Sequence, residues 1–266
     1  MFNRGKKSSA PEPEQESILN YDDNFPIIDR DGIQPAINLF EGGDAKDSFK
    51  STEYIRIYDL VFKMCIQREP FNYSGRLYTS YTTSIEQYCK NFHDAALTQA
   101  VSTTNDISLL RCWGTRWEKQ KNVIMGVARL FTYLDRFHTQ STEAILPLAN
   151  QGHAIYHQHV FDKFAPMVIK AIVRSIDRER NEEDVDRKLL HKAVISFEEM
   201  GTWVDKKLKI YKDLLEVKIL QNASEFYRRT SRNWIQEDST PQYLRKAEAM
   251  LAQEKTRVES YLNKCS

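Results

Sequence analysis

The sequence of 266 residues contains little glycine and little proline, with only 9 and 8 of these residues. An all-β fold would need more of both for its frequent turns, so their scarcity favours a helical fold. The sequence also lacks a run of about 18 apolar residues, which a membrane-spanning helix would need. No apolar segment follows the basic residues at the N-terminus, as it would in a signal peptide. We therefore expect a soluble, intracellular helical chain.

An excess of charge of one sign is missing as well, because 38 Lys and Arg residues balance 37 Asp and Glu residues. A net charge of +1 gives no overall field that would attract nucleic acid or an anionic membrane, and we expect neither as a partner. The four cysteines are widely spaced and form no CxxC pair, which argues against a zinc site or a disulfide framework. We expect no metal and no cofactor.

The sequence does contain strong helical periodicity behind a polar N-terminus. Residues 1–25 are rich in Pro, Ser and Glu, and this composition predicts a disordered tail. A short helix should follow in "IQPAINLFEGG" and end at its glycines. We expect Pro166 and Pro241 to begin helices, Thr240 to cap the last helix and Gly201 to end an earlier one. The longer predicted helices are 52–66, 74–92, 107–118, 121–138, 144–164, 166–180, 183–200, 204–231 and 241–263.

Two of these helices, 52–66 and 121–138, have more apolar surface than one core-facing stripe requires. Their core-like stripes are Ile57, Leu60, Val61 and Met64 in the first and Val123, Val127, Leu130 and Leu134 in the second. Their second stripes are Tyr54, Tyr58 and Phe62 in the first and Arg129, Tyr133, Arg136 and Phe137 in the second. A central place in a helical bundle would explain the aliphatic residues. Mixed aromatic and arginine residues are enriched at protein interfaces, so partner binding is the competing interpretation.

Catalytic patterns are scarce. The segment "HAIYHQHVF" places His153 and His157 four residues apart with His159 nearby, which is half of a metal site, but no HExxH glutamate accompanies them. The charge run "IDRERNEEDVDR" fits a solvated turn better than a pair of catalytic carboxylates. A basic and aromatic patch in "FYRRTSRNW" makes RNA binding a minor alternative. We expect no catalytic residues, and surface or half-buried histidines.

Five segments in the same order give the chain a wider resemblance, which covers about residues 50–262. The segments are "IYDLVFKMC", "NYSGRLYTSYTTSIEQY", "LLRCWGTRWEKQKNVIMGVARLFTYLDRF", "IDRERNEEDVDRKLLHKAVISFEEMG" and "FYRRTSRNWIQEDSTPQYLRKAEAMLAQEKTRVESYL". Together they resemble the N-terminal region of cullins, and the plant-type first cullin most. The resemblance implies an elongated, all-α solenoid of about two five-helix cullin repeats, over residues 26–148 and 149–266.

The resemblance also implies a function. In cullins, the second and fifth helices of the first repeat dock a BTB-fold adaptor, which in this subfamily is a Skp-type protein carrying an F-box receptor of an SCF ubiquitin ligase. These helices correspond to 52–66 and 121–138, so the expected partner-binding residues are Tyr54, Tyr58, Phe62, Arg129, Tyr133, Arg136 and Phe137. A cullin scaffold of this kind is expected in the cytoplasm and nucleus.

The sequence departs from the family in two places. The segment "RDGIQPAINLFEGGDAKDSFKS" differs from the usual N-terminal helix, and the chain stops at Ser266, before the family's site for the RING-box protein. We therefore expect no RING-box protein to bind these residues, and such a chain could compete with a full-length cullin for adaptors. The alternatives are a degenerate helical solenoid that serves as an interaction or tethering module, and a metalloenzyme built around residues 153–159.

Overall fold

The computed structural model describes residues 18–42, 51–141, 145–204 and 208–263, and these ranges contain helices but no β-strand. The all-α prediction is therefore confirmed. Wide turns of the π type at Asp29–Ile33, Cys89–Asp94, His157–Phe161 and Tyr211–Glu216 adjoin the α-helices. The α-helices are α1 (Tyr21–Ile28), α2 (Gln34–Glu41), α3 (Ser51–Ile66), α4 (Ser74–Tyr88), α5 (Ala95–Ser102), α6 (Asp106–Leu130), α7 (Thr132–Ser141), α8 (Leu148–Tyr156), α9 (Asp162–Arg180), α10 (Arg187–Val204), α11 (Val217–Glu237) and α12 (Thr240–Tyr261).

Helix α6 is the central element of the fold. It has 25 residues, which corresponds to about 38 Å at 1.5 Å per residue. It packs against α2, α3 and α5 from the N-terminal half and against α8, α9 and α10 from the C-terminal half. Two fully buried tryptophans reach the second group, because the indole N–H of Trp113 donates to Ser196 Oγ at 2.7 Å and that of Trp117 donates to Glu199 Oε2 at 2.6 Å. One helix therefore joins both halves of the molecule.

The prediction of two helices at 107–118 and 121–138 is wrong, because α6 continues through this point and the chain breaks at Phe131 instead. Residues 118–121 are all polar. In the structure they bind neighbouring helices: Lys119 Nζ donates to the Glu41 carbonyl at 2.6 Å, and Lys121 Nζ lies 2.8 Å from Glu199 Oε2. Polarity in this segment reflects contacts between helices, so it does not mark a break.

Three further expectations about helix ends were wrong. Pro166 lies inside α9, shortly after the wide turn His157–Phe161, so the chain stays helical from α8 into α9; regular hydrogen bonding is already interrupted near such a turn, which makes a proline tolerable there. Gly201 is buried within α10, which continues to Val204. The cap of α12 is Ser239 rather than Thr240, since the Ser239 amide donates to Gln242 Oε1 at 3.0 Å.

The predicted disordered tail, 1–25, extends too far, because α1 begins at Tyr21; residues 1–17 lie outside the described residues. Composition alone does not predict this helix, because the burial of its one buried aromatic residue, Tyr21, depends in part on residues far along the chain. The Tyr21 ring stacks on Phe25 with centroids 5.3 Å apart, and the guanidinium of Arg76 lies 3.8 Å from its centroid. The short helix predicted next is confirmed as α2, which ends at Gly42 in a left-handed conformation with φ of 111°.

A buried ion cluster attaches the end of α2 to α6. Arg116 Nη1 lies 2.7 Å from Glu41 Oε2, and the side chains of Arg116 and Glu41 are only 9% and 10% exposed. The hydroxyl of Tyr88 donates to Glu41 Oε1 at 2.6 Å, and Lys119 adds a second cation 3.2 Å from Oε2. These partners hold the pKa of Glu41 below its usual range although burial alone would raise it.

The charge run at 176–187 contains the expected solvated turn at 181–186, but a second buried cluster holds the residues just before that turn. The Arg180 side chain is only 1% exposed and its Nε lies 2.8 Å from Glu254 Oε1 of α12. Arg257 pairs with the same carboxylate at 2.9 Å, and the Tyr261 hydroxyl donates to Glu179 Oε2 at 2.8 Å. These contacts fasten α12 onto the end of α9.

Removing the Glu41 carboxylate should destabilise the fold more than removing an exposed one. Glu41→Gln leaves buried Arg116 without its counter-charge, so we expect a loss of about 3 kcal/mol in the free energy of unfolding. The matched control is Asp22→Asn, because Asp22 pairs with Arg76 in solvent at side-chain exposures of 69% and 54%; its loss should stay below about 1 kcal/mol. Urea denaturation followed by circular dichroism measures both, and equal losses would contradict this role for Glu41.

Candidate partner-docking surface

Helix α3 divides its apolar residues between two faces, as its sequence suggests. Ile57, Val61 and Met64 are fully buried in the core. Leu60, which the sequence assigns to the same stripe, is only half-buried and packs at the edge of the core. The second stripe, Tyr54, Tyr58 and Phe62, is half-buried along its whole length.

The end of α6 and helix α7 show the same division. Val123, Val127, Leu130 and Leu134 are buried, with exposures of 1% or less. Tyr133 is half-buried, whereas Arg129 and Arg136 are exposed and Phe137 is 58% exposed. The break at Phe131, which is itself fully buried, separates α6 from α7 and places the two arginines on different helices.

The aromatic residues of the two second stripes form one row across α3 and α7. The Tyr54 and Tyr58 rings stack with centroids 6.4 Å apart. Further along α3, Phe62 meets Tyr133 of α7 edge to face at 4.8 Å, and Tyr133 contacts Phe137 at 4.5 Å. We call these five residues the aromatic row. Such ring pairs stabilise the arrangement of the helices while leaving ring surface outside the core.

A hydrogen bond fixes the other end of the row to α6. The hydroxyl of Tyr54 donates to the Arg129 carbonyl at 3.0 Å. This carbonyl belongs to the last turn of α6, where carbonyl groups lack a helical partner, and it also accepts from the Thr132 hydroxyl at 2.7 Å. The bond therefore satisfies a helix end and orients the Tyr54 ring at the same time.

The two arginines beside the row carry unpaired charge. Within the ranges that the structure describes, neither Arg129 nor Arg136 forms an ion pair, although many other arginines of the chain do. An exposed guanidinium is solvated by water, so neither arginine needs a buried acidic partner. All seven predicted residues therefore lie on neighbouring surface. Six of them are the aromatic row and Arg129; the seventh, Arg136, lies beside them on α7 without a described contact to them.

A pocket of about 390 Å³ opens beside the α7 end of the row. Tyr133 and Phe137 form one wall, and Cys65 and Ser74 lie among the residues opposite. Burial raises the pKa of the Cys65 thiol to about 11, so this cysteine stays protonated near neutral pH and is no nucleophile. The pocket is therefore a shape feature of the surface rather than a reactive site.

One exposed apolar residue beside the row is absent from the residues predicted from the sequence. Ile55 is 63% exposed although it follows Tyr54 directly, and it belongs to neither stripe of α3. A helical wheel of α3 could have identified Ile55, because this residue falls outside both apolar stripes, where it has no role in the core. It was overlooked because a single exposed aliphatic residue is common on protein surfaces.

The histidines at 153–159 do not assemble a metal site in the described residues, where no group of three or more His, Cys, Asp or Glu side chains is close enough to bind an ion. His153 is fully buried, its Nδ1 lies 2.8 Å from Gln120 Nε2, and its ring stacks on Trp203 at 4.2 Å. Burial, and to a lesser extent the charge of Lys121, lowers the pKa of His153 to about 4. His153 is thus a neutral core histidine, which corrects the expectation of a surface or half-buried position; His157 is half-buried.

These observations define a helical protein whose candidate site is an aromatic surface across α3 and α7. No described helix is long and apolar enough to cross a membrane. Residues 33–266 match the family model of the cullin α-solenoid domain, so the chain belongs to the cullin family and its fold is the predicted α-solenoid. The family is one of non-catalytic scaffolds.

Relatives from Arabidopsis thaliana agree with the family. The chain is 29% identical to putative cullin-like protein 1 over 81% of its own length and 29% of the relative. It is 27% identical to putative cullin-like protein 2, over 92% of its length and 63% of the relative, and 27% identical to cullin-2, over 87% and 30%. The chain thus spans less than two thirds of each of these relatives.

Residues from the two stripes of α7 should differ in how much they contribute to the free energy of unfolding. Leu134→Ala removes a fully buried side chain and should lower the free energy of unfolding by roughly 2 to 5 kcal/mol. Phe137→Ala removes a mostly exposed ring and should cost less than about 1 kcal/mol. Urea denaturation of both variants tests this difference. A loss for Phe137→Ala as large as that for Leu134→Ala would place Phe137 in the core.

Protonation of His153 should contribute to acid unfolding. Its folded pKa of about 4 lies below the ordinary value of 6.5, so its contribution is fully present above pH 6.5 and is lost as the pH falls toward 4. Over this interval the free energy of unfolding of the unmodified protein should fall by roughly 3 kcal/mol more than that of His153→Gln. Free energies of unfolding measured at intervals from pH 7 to 4 provide the test, and parallel profiles would contradict it.

Proposed function

We propose that the chain is a cullin scaffold whose aromatic row, flanked by Arg129 and Arg136, docks a Skp-type adaptor with its F-box receptor in a cullin-RING ubiquitin ligase pathway. One observation carries the proposal. The aromatic row continues from Tyr54 to Phe137 outside a core that α3 and α7 already complete with other residues. Aromatic ring surface that stays outside a core completed by other residues is best explained by a protein partner.

The composition of the surface supports a protein partner of this kind. Tyr and Arg are among the residues that contribute most binding energy at interfaces, and three tyrosines and two arginines lie together here with Phe62 and Phe137. Their rings are already held by neighbouring rings or by the bond from Tyr54 to Arg129, so little side-chain freedom would be lost on binding. A prepared surface of this kind favours a specific partner over non-specific adhesion.

The proposed identity of the partner is based on the family of the chain. The chain belongs to the cullins, and cullin N-terminal repeats bind adaptors. We propose further that residues 26–148 form the first repeat, which carries the docking surface, and that residues 149–266 form the second. In this arrangement the second repeat serves as a support that α6 joins to the first, through Trp113 and Trp117.

A second candidate function is a tethering module that binds another protein through its opposite end. Helices α11 and α12 expose isolated large aliphatic side chains there, namely Leu220, Ile235, Leu244 and Leu251 at 57%, 68%, 61% and 72%. These residues share a region but form no described ring row or prepared pocket. They provide matched controls for the first proposal, because each is as exposed as Phe137.

Substitutions in the aromatic row should weaken adaptor binding without unfolding the chain. Tyr58→Ala and Phe137→Ala should each cost about 1 to 3 kcal/mol of binding free energy, which raises the Kd roughly 5- to 150-fold. Titration calorimetry of the full chain against a purified Skp-type adaptor measures this change.

The control variants are Ile235→Ala and Leu251→Ala on α11 and α12, which should leave the Kd within about two-fold. Thermal melts of all four variants show whether each remains folded. Unchanged affinity in Tyr58→Ala and Phe137→Ala, or a loss in Ile235→Ala and Leu251→Ala instead, would favour the tethering module.

A further inference from the structure

An open groove of about 420 Å³ adjoins the aromatic row on the side away from α7. Leu39 and Phe40 of α2 form one wall and Ile55 of α3 forms another. Gly126 and Arg129 of α6 lie at the base and rim. We call this space the α2–α3 groove. It is mostly apolar, and none of the seven residues expected from the sequence lines it except Tyr54 and Arg129.

The groove is shaped by a close approach of two helices. A Cβ atom at position 126 would lie only 2.5 Å from Cε2 of Phe40, so glycine is required for the Phe40 ring to lie against α6. Glu41, the next residue of α2, is anchored to Arg116 in the buried ion cluster. Because one contact fixes the ring and the other fixes the helix end, the groove is preformed rather than created by a partner.

The groove and the aromatic row share two residues. Tyr54 belongs to the row and also lines the groove, and its hydroxyl donates to the carbonyl of Arg129, whose side chain stands at the groove rim. A partner that covers the Tyr54 and Tyr58 rings must therefore also pass over the groove opening. Ile55, 63% exposed, lies at this passage.

Charge indicates the chemistry of the occupant. Arg129 is exposed and, among the residues that the structure describes, has no ion-pair partner. The nearby Arg56 already pairs with Asp31 at 2.7 Å. The free positive group at the rim of an apolar groove matches a carboxylate, which a guanidinium can bind through two parallel hydrogen bonds.

We propose that the docked adaptor inserts an apolar side chain into the α2–α3 groove and places a neighbouring carboxylate on Arg129. This inference rests on the proposed function and extends it, since it adds α2 to the docking surface and makes Ile55 and Arg129 determinants of partner choice. An adaptor segment with an aliphatic or aromatic residue next to Asp or Glu fits the groove.

The test uses calorimetry of the full chain with a purified Skp-type adaptor. Ile55→Ser removes the apolar wall at an exposed position, and Arg129→Glu reverses the rim charge. We expect each to raise the Kd at least five-fold, with Arg129→Lys in between because it keeps the charge but loses the paired geometry. Arg129→Glu should also weaken the dependence of the Kd on salt concentration.

Two controls match these variants in chemistry and exposure. Arg111→Glu reverses an exposed arginine of the same helix, roughly 27 Å away at 1.5 Å per residue, and has no described ion pair to break. Ile235→Ser removes an isoleucine that is 68% exposed on α11. Both should bind the adaptor within two-fold of the unmodified chain.

The outcomes separate this inference from the proposed function. If Tyr58→Ala weakens binding but Ile55→Ser does not, the groove is not occupied by the adaptor, and the inference is overturned while the docking surface stands. If the unmodified chain binds no adaptor, both proposals are wrong. If sedimentation shows that the chain self-associates and that Ile55→Ser abolishes this, a second copy occupies the groove instead and the inference is again overturned.

Discussion

The burial of α6 on opposite faces is the constraint on which the rest of the structure depends. Helices of both halves pack on it, and its tryptophans at 113 and 117 reach the second half while Val127 and Leu130 remain buried in the first. Because α3 meets this core with Ile57, Val61 and Met64, its second stripe lies at the edge of the core, where Phe62 packs on Tyr133 of α7. The aromatic row is thus a consequence of completing the core with other residues.

Polar side chains give this arrangement its precision. Glu41 fixes the end of α2, Glu199 accepts from both Trp117 and Lys121, and Glu254 holds Arg180 and Arg257 together. A buried charge without its partner is strongly unfavourable, so each cluster permits few alternative positions of the helices it joins. The apolar groove beside the aromatic row inherits its shape from one of these clusters, since the anchored end of α2 includes Leu39 and Phe40.

The helical class and the division of α3 into two faces could be predicted from the sequence, because both depend on periodicity within one element. The range 52–66 differs from α3 by a single residue. What periodicity could not reveal are features that depend on residues far apart in the chain. The continuity of α6 depends on partners for Lys119 and Lys121, the burial of Arg180 depends on Glu254, and the groove depends on Phe40 lying against Gly126. Lys119, Lys121 and Arg180 were placed at a predicted helix end or in a solvated charge run, and Gly126 inside a predicted helix, because the local sequence does not show the partner of any of them.

The central claim is that an adaptor contacts α3 and α7, and site-specific photo-crosslinking tests it most directly. A photoreactive amino acid is placed in turn at Tyr58, Phe137, Ile235 and Leu251, and each chain is irradiated with a purified Skp-type adaptor. The account predicts covalent adaptor adducts from the first two positions, on the aromatic surface, and none above background from the two positions on α11 and α12. Adducts from Ile235 or Leu251 without any from Tyr58 or Phe137 would contradict it.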